Sequence, residues 1–118
     1  MRDFRISLRI VFYREDDQWV AHCLEFDLLG HGETKREAME GLTESIRLQI
    51  EESVRHDNPS NLFSPAGGEL FEMFSAGTEF DERVIELELL SLSKSPIVIE
   101  SVQARECAGD LAPNTISL

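Results

Sequence analysis

The first part of the chain alternates between apolar and other residues with the period of a β-strand. Between residues 4 and 13, one face of the predicted strand carries Phe4, Ile6, Leu8, Ile10 and Phe12. A period of two places these side chains on one buried side. Arg14–Asp17 predicts a four-residue charged loop, and Gln18–Leu24 resumes the strand character, so the two strands are predicted to form a β-hairpin. Leu28–Gly32 predicts a short third strand that ends in glycines.

A long amphipathic helix is predicted after the third strand. Thr34 and Glu37 have the spacing of a capping box, in which the hydroxyl accepts from a backbone N–H and the carboxylate reaches back to the N-cap. Apolar residues then recur every four positions, at Ala38, Leu42, Ile46, Ile50 and Val54. This stripe predicts a helix over about residues 35–56, with acidic residues on the opposite face and an end enforced by Pro59.

The second half of the chain carries shorter signals. Residues 60–68 are rich in Ser, Asn, Pro and Gly and predict a loop, and Glu69–Ala76 predicts a short helix that ends before Gly77. Arg83–Leu92 alternates as a strand does, and residues 97–102 predict a last strand. The polar residues 108–118 predict a frayed tail.

These elements predict an α+β fold in which one long helix packs on a face of an antiparallel sheet. Residues 1–59 would form the β-β-β-α core. Residues 60–118 would form a C-terminal extension that packs on the same single domain.

The charge and the cysteine content of the chain argue against several classes of protein. Twenty-three acidic against eleven basic side chains give a net charge of −12, which argues against the chain itself gripping a phosphate backbone and suits a basic partner. Two cysteines are too few for a disulfide framework. Arg5 and Arg9 interrupt the apolar start as no signal peptide would, and no apolar run approaches the roughly 20 residues of a membrane span. We therefore expect a cytoplasmic protein that contacts neither a membrane nor nucleic acid directly.

Carboxylates are the first candidates for chemistry. Asp16, Asp17, Glu25 and Asp27 could converge near one end of the hairpin and hold a divalent metal for phosphoryl chemistry. Asp is also favoured in turns for its backbone hydrogen bonds, and we prefer that interpretation for Asp16 and Asp17.

Histidine, cysteine and glycine residues offer two further candidates. His22, Cys23, His31 and Cys107 are zinc-ligand types without the close paired spacing of a zinc site. His22 and Cys23 are adjacent on a strand and should point to opposite faces, which predicts an inert, buried Cys23. Gly30-His31-Gly32 precedes a helix N-terminus, but no phosphate-binding motif accompanies it and turn glycines are the simpler explanation. The sequence thus predicts no catalytic residue, no metal and no cofactor.

The segment 19–38 reads Trp-Val-Ala-His-Cys-Leu-Glu-Phe-Asp-Leu-Leu-Gly-His-Gly-Glu-Thr-Lys-Arg-Glu-Ala. An aromatic-Val-Ala strand, a turn, a strand ending in Gly and a helix opened by Thr-x-x-Glu-Ala resemble the HicB-like antitoxin family over about residues 4–56. The resemblance implies a β-β-β-α core like a truncated ribonuclease H fold without its catalytic acids. It also implies homo-oligomers that bind HicA, a small basic toxin that cleaves mRNA.

Two features depart from the family. Its Leu-Pro-Gly turn is replaced by Phe26-Asp27-Leu28-Leu29-Gly30, and residues 60–118 contain no recognisable version of the DNA-binding domain that many members carry. A solitary member, which forms homo-oligomers and has an unknown ligand, is therefore an alternative to a toxin-bound one.

The favoured interpretation is a non-enzymatic module that binds protein. The residues predicted to contact a partner or a second copy are Glu25, Asp27, Glu86 and Glu88. Arg83–Leu92 is the candidate strand for edge pairing, although it could equally complete the chain's own sheet. A carboxylate-dependent nuclease is the remaining alternative, and no nucleophile, base and orienting group accompany its acids.

Overall fold

The computed structural model describes residues 3–58, 62–79 and 83–110, except for the side chains of 83–85 and 108–110. Its strands are β1 (Phe4–Glu15), β2 (Gln18–Cys23), β3 (Leu28–Gly32), β4 (Thr78–Glu79) and β5 (Ile97–Asp110). Its helices are α1 (Lys35–Arg55), α2 (Gly68–Ala76) and α3 (Arg83–Leu90). The predicted α+β class is confirmed.

The sheet has the strand order β3-β2-β1-β5-β4. β1, β2 and β3 form an antiparallel meander, but β5 pairs in parallel with β1. The sheet is therefore mixed, and the prediction of a wholly antiparallel sheet is wrong. β4 pairs near the C-terminal end of β5, and α3 connects these two strands, so the chain has returned to the other end of the sheet before β5 begins beside Phe4.

The hairpin between β1 and β2 is tighter than predicted. Its turn consists of Asp16 and Asp17, whose φ angles are 53° and 64°. Two-residue turns with positive φ at both positions match the twist of the flanking strands, and Asp tolerates that conformation. Arg14 and Glu15 consequently belong to β1, and Glu15 lies opposite Gln18.

α1 begins and ends close to its predicted limits. The Thr34 hydroxyl accepts from the N–H of Glu37, as in the predicted cap, whereas the Glu37 carboxylate accepts from the N–H of Glu33, one residue before the N-cap. The apolar stripe packs on the sheet as the main core, together with Ile6, Leu8, Ile10, Phe12, Ala21, Cys23, Ile97 and Ile99. A hydrophobic face this long stabilises the helix far more than its intrinsic propensity does.

Two glycines allow α1 to lie directly on β3. A Cβ at Gly30 would lie 2.3 Å from the Ala38 carbonyl oxygen and the Leu42 nitrogen, and one at Gly32 would lie 2.3 Å from the Glu37 Cβ. The pair therefore serves close packing of backbone on backbone. The anion-site hypothesis for these glycines has no support from their surroundings.

α2 covers part of the opposite sheet face. Its side chains Leu70, Phe71, Met73 and Phe74 pack on a second cluster formed by Val11, Tyr13, Val20, Leu24, Ala66 and Cys107. The packing side predicted for this helix is confirmed. β1 therefore buries residues on both of its faces, although its sequence pattern predicted only one.

The prediction of a strand over Arg83–Leu92 is wrong, because residues 83–90 form helix α3. Leu89 is buried in the main core, and Leu90 and Leu92 pack against it. Leu and Glu dominate positions 86–90 without a β-branched residue, and both are strong helix formers. This local composition favours a helix, whereas the alternation of apolar and acidic residues does not reflect a strand here.

The last predicted strand is present and longer than expected. It runs to Asp110, so the first three residues of the predicted frayed tail belong to β5. Residues 111–118 lie outside the described part of the chain.

Candidate partner-binding surface

A buried histidine connects two strands on the face opposite α1. His22 lies between the Tyr13 hydroxyl, 3.1 Å from its Nδ1, and the Asp27 carboxylate, 2.7 Å from its Nε2. His22 and Tyr13 are buried, and Asp27 is half-exposed. Asp27 has a φ of 54°, so this hydrogen bond also fixes the turn that leads into β3.

The chemistry of this network is that of a satisfied structural contact. Burial, and then the nearby carboxylates of Glu15 and Asp27, raise the pKa of Tyr13 from 10.0 to about 12. The phenol therefore stays protonated and can donate to Nδ1, while Nε2–H donates to Asp27. A phenol with a raised pKa is a poor base or nucleophile, and the hydrogen bonds of the network stabilise the turn before β3.

Glu25 is held within the molecule. Its carboxylate accepts from the backbone N–H of Arg9 at 2.8 Å and from Arg9 Nε at 2.7 Å, and its side chain is only 13% exposed. The guanidinium of Arg9 also lies over the Phe71 ring of α2. Glu25 therefore ties the turn before β3 to β1 and leaves little surface for the partner contact predicted for it.

The carboxylates that could have converged on a metal are far apart. Asp16 and Asp17 form the hairpin tip at one end of β2, and Glu25 and Asp27 follow its other end. Six residues of extended strand separate the two pairs by roughly 20 Å. Within residues 3–58, 62–79 and 83–110, no three His, Cys, Asp or Glu side chains are grouped in a way that could hold a metal ion.

The two cysteines lie on opposite sides of the sheet. Cys23 lies in the main core and His22 on the other face, as their adjacency predicted. Burial is the largest cause that raises the pKa of the Cys23 thiol, from 9.0 to about 12. The Cys107 thiol donates to the Met73 carbonyl oxygen, and burial raises its pKa too. The predicted burial of Cys23 is confirmed, and a raised pKa disfavours the thiolate at both cysteines.

The acids of α1 are matched by cations. Arg47 pairs with Glu44 and Glu51, and Arg55 pairs with Glu52. Five carboxylates and four basic side chains give residues 35–55 a net charge of −1. The outer face of the helix, predicted to be acidic, is therefore close to neutral.

Half of the excess negative charge lies in residues 69–88, which we call the acidic segment. It holds seven carboxylates and one basic residue, a net charge of −6, which is half of the −12 of the chain. In its described portion, Glu69, Glu72, Glu79 and Glu88 are exposed and Glu86 is partly exposed. None of these five carboxylates forms an ion pair with a side chain that the structure describes, which leaves Arg83 out of the comparison.

The described parts of the acidic segment, residues 69–79 and 83–88, lie around one edge of the sheet. α2 lies on the second cluster, β4 pairs with β5 at the edge, and α3 packs on the main core. Leu87, between the predicted contact residues Glu86 and Glu88, is 59% exposed. This places an exposed apolar side chain among unpaired carboxylates, on a helix where a strand edge was predicted.

Comparison with known proteins adds no constraint on the site: no family model, no curated protein and no solved structure matches this chain. Among the helices of the described residues, none combines the length and apolar composition that a membrane crossing requires.

Proposed function

We propose that this protein is a non-enzymatic binding module that captures a small basic protein, in the manner of a HicB-type antitoxin that neutralises an mRNA-cleaving toxin. The observation that carries the proposal is the acidic segment, which holds half of the net charge and whose five described carboxylates form no ion pair with a described side chain. Glu86 and Glu88 belong to this surface, and Asp27 lies at the opposite end of the sheet.

The density of acidic residues is what distinguishes this surface from the rest of the molecule. A carboxylate already bonded to an arginine contributes little to the field that a partner meets, whereas seven acids against one base attract a basic protein at long range. Exposed Leu87 adds an apolar contact that could be buried at short range. The identity proposed for the partner rests on the resemblance to the antitoxin family. The order β1-β2-β3-α1, with the helix on one face of the meander, is the order that this resemblance implies.

The first test is co-expression with a small basic protein encoded beside this chain in its own genome. We expect a stoichiometric complex and relief of the growth inhibition that the basic protein causes when expressed alone. A neighbour that neither binds nor inhibits growth, or the isolation of this chain as a homo-oligomer with no such neighbour, would contradict the proposal.

A pair of matched variants tests the surface. Glu86→Gln with Glu88→Gln removes two unpaired charges, and Glu40→Gln with Glu44→Gln removes two charges that face arginines on α1. We expect the first pair to slow association several-fold and to reduce its salt dependence, and the second to change both much less. Equal effects of the two pairs would mean that net charge alone, and not this surface, attracts the partner.

A further inference from the structure

β3 is an edge strand that lacks the usual protection. It pairs with β2 on one side, and no described strand pairs with its other side. Natural edges are blunted by lysine, proline, bulges or very short strands, and Leu28–Gly32 has neither lysine nor proline and runs for five residues. The opposite edge, β4, has two residues, one of which is Glu79.

The register of the meander identifies the backbone groups on this edge. The two-residue turn makes Glu15 and Gln18 the hydrogen-bonded closing pair, and such pairs alternate along an antiparallel ladder. The β2 residues whose backbone groups hydrogen-bond to β3 are therefore Trp19, Ala21 and Cys23. They lie opposite Gly32, Gly30 and Leu28, respectively. The N–H and C=O groups of Leu29 and His31 consequently point outward from the sheet.

β3 packs closely on α1 by one face and exposes side chains on the other. α1 lies against Gly30 and Gly32 at a distance that leaves no room for a Cβ, which holds β3 against the helix. Leu29 is 37% exposed and His31 is exposed, both on the face away from α1. A pre-organised strand loses little conformational entropy when another strand adds to it.

Charge at the two ends of β3 distinguishes the possible occupants. Asp27 precedes the strand and Glu33 follows it, and both are exposed. A second copy that pairs antiparallel along the full strand, centred on Gly30, would place Asp27 opposite Glu33 at both ends. Like charges directly opposite each other destabilise strand pairing, whereas a strand with cations at its ends would be attracted to both.

We propose that the outer edge of β3 receives an extended strand from the basic partner, through the backbone groups of Leu29 and His31, with the partner's cations near Asp27 and Glu33. This inference rests on the proposed function for the existence of a basic partner. It adds the mode of docking, which is strand addition at the edge opposite the acidic segment.

The test uses a peptide probe and the intact protein. The probe is a synthetic peptide of about seven residues that alternates valine and threonine and carries lysine at both ends, a length that spans β3 and its flanks. In an NMR titration we expect the amide signals of Leu29 and His31 to shift, with cross-strand contacts from the peptide to β3. Shifts confined to other elements would overturn the proposal.

Two modified peptides serve as controls that leave the protein unchanged. N-methylation of the peptide amides that face β3 should abolish binding, and N-methylation of the alternate amides should preserve it. Replacing the terminal lysines by glutamates should weaken binding at least about fivefold, and Glu33→Gln should weaken the lysine peptide less than that. Equal binding of the lysine and glutamate peptides would overturn the assignment to a basic strand.

The outcomes separate this inference from the proposed function. If the Glu86→Gln/Glu88→Gln protein loses a basic partner while no peptide contacts β3, the inference fails and the proposed function stands. If the lysine peptide adds to β3 while no basic protein binds the chain, the proposed function fails and the docking mode is retained. Concentration-dependent dimerisation that shifts the β3 amides without peptide would place a second copy there and overturn the inference.

Discussion

The two faces of the sheet are covered in different ways. On one face, 21-residue α1 buries its apolar stripe in the main core, and two glycines bring its backbone onto β3. On the other, nine-residue α2 covers only part of the sheet, with Phe74 as its one buried side chain. Polar groups complete this second face: Tyr13, His22 and Asp27 in one network, and Arg9 with Glu25 in another.

The two faces of the sheet should therefore contribute unequally to the stability of the protein. The α1 face supplies most of the buried apolar area and should dominate the free energy of unfolding. The α2 face has fewer buried contacts and should open locally at lower cost. The acidic segment begins on this more weakly held helix, so a partner could bind there without disturbing the main core.

The largest predicted effect concerns core leucines on the two sides. Leu42→Ala removes a fully buried side chain from under α1 and should lower the free energy of unfolding by about 3 kcal/mol. Leu70→Ala, on partly buried α2, should lower it by only about 1 kcal/mol. Urea denaturation followed by circular dichroism measures both, and equal losses would show that the two faces contribute equally.

A glycine pair tests the contact of α1 with β3. Gly30→Ala should destabilise by about 2 kcal/mol, because its Cβ would overlap backbone atoms that cannot move independently. The matched control is Gly68→Ala at the start of α2, where a Cβ meets nothing within 4 Å. That variant should be neutral or more stable by up to about 1 kcal/mol, and a tolerated Gly30→Ala would contradict the close approach.

The polar network on the α2 face should make the free energy of unfolding fall as the pH rises in the alkaline range. The pKa of Tyr13 rises from 10.0 to about 12 in the fold, so the folded state retains a proton that the unfolded state loses. The contribution is complete below pH 10.0 and is lost as pH rises towards about 12. Tyr13→Phe should cost about 1 kcal/mol at neutral pH and remove this part of the alkaline loss. Unfolding midpoints at intervals across that range provide the measurement, and an unchanged slope would exclude Tyr13 as its source.

A kinetic prediction compares the two thiols. Cys107 lies beneath α2 and Cys23 lies in the main core. Local opening of α2 should let a thiol reagent modify Cys107 at least about tenfold faster than Cys23 in single-cysteine variants under native conditions. If Cys23 reacted first, α1 and not α2 would be the element that opens more readily.

The sequence predicted an element accurately where a long hydrophobic repeat packs on a single surface of the sheet. The stripe from Ala38 to Val54 and the cap at Thr34 placed α1 almost to the residue, because a face that repeats over five turns has no competing conformation. It was less successful in residues 83–92, where a short Leu and Glu pattern fits a strand by alternation and a helix by propensity. Packing of Leu89 against the main core accompanies the helical outcome.

The candidate site was predictable only in part. The composition showed that the chain is rich in acidic residues. Only the fold shows that Glu25 pairs with Arg9 and is therefore not among the exposed carboxylates. Likewise, the arginines on α1 pair with neighbouring glutamates, so the acids of that helix contribute less to the surface charge than their number suggests. A carboxylate's availability depends on which cation the fold places within reach, and spacing along the chain does not report it.

Local periodicity and capping were sufficient to specify the first three strands, the long helix and the α+β class, since these depend on residues close in sequence. The parallel placement of β5, the helical state of residues 83–90 and the exposed edge of β3 depended on contacts between distant segments. The physical reason is that burial and pairing of charges are properties of neighbours in space, and those neighbours exist only once the sheet has assembled.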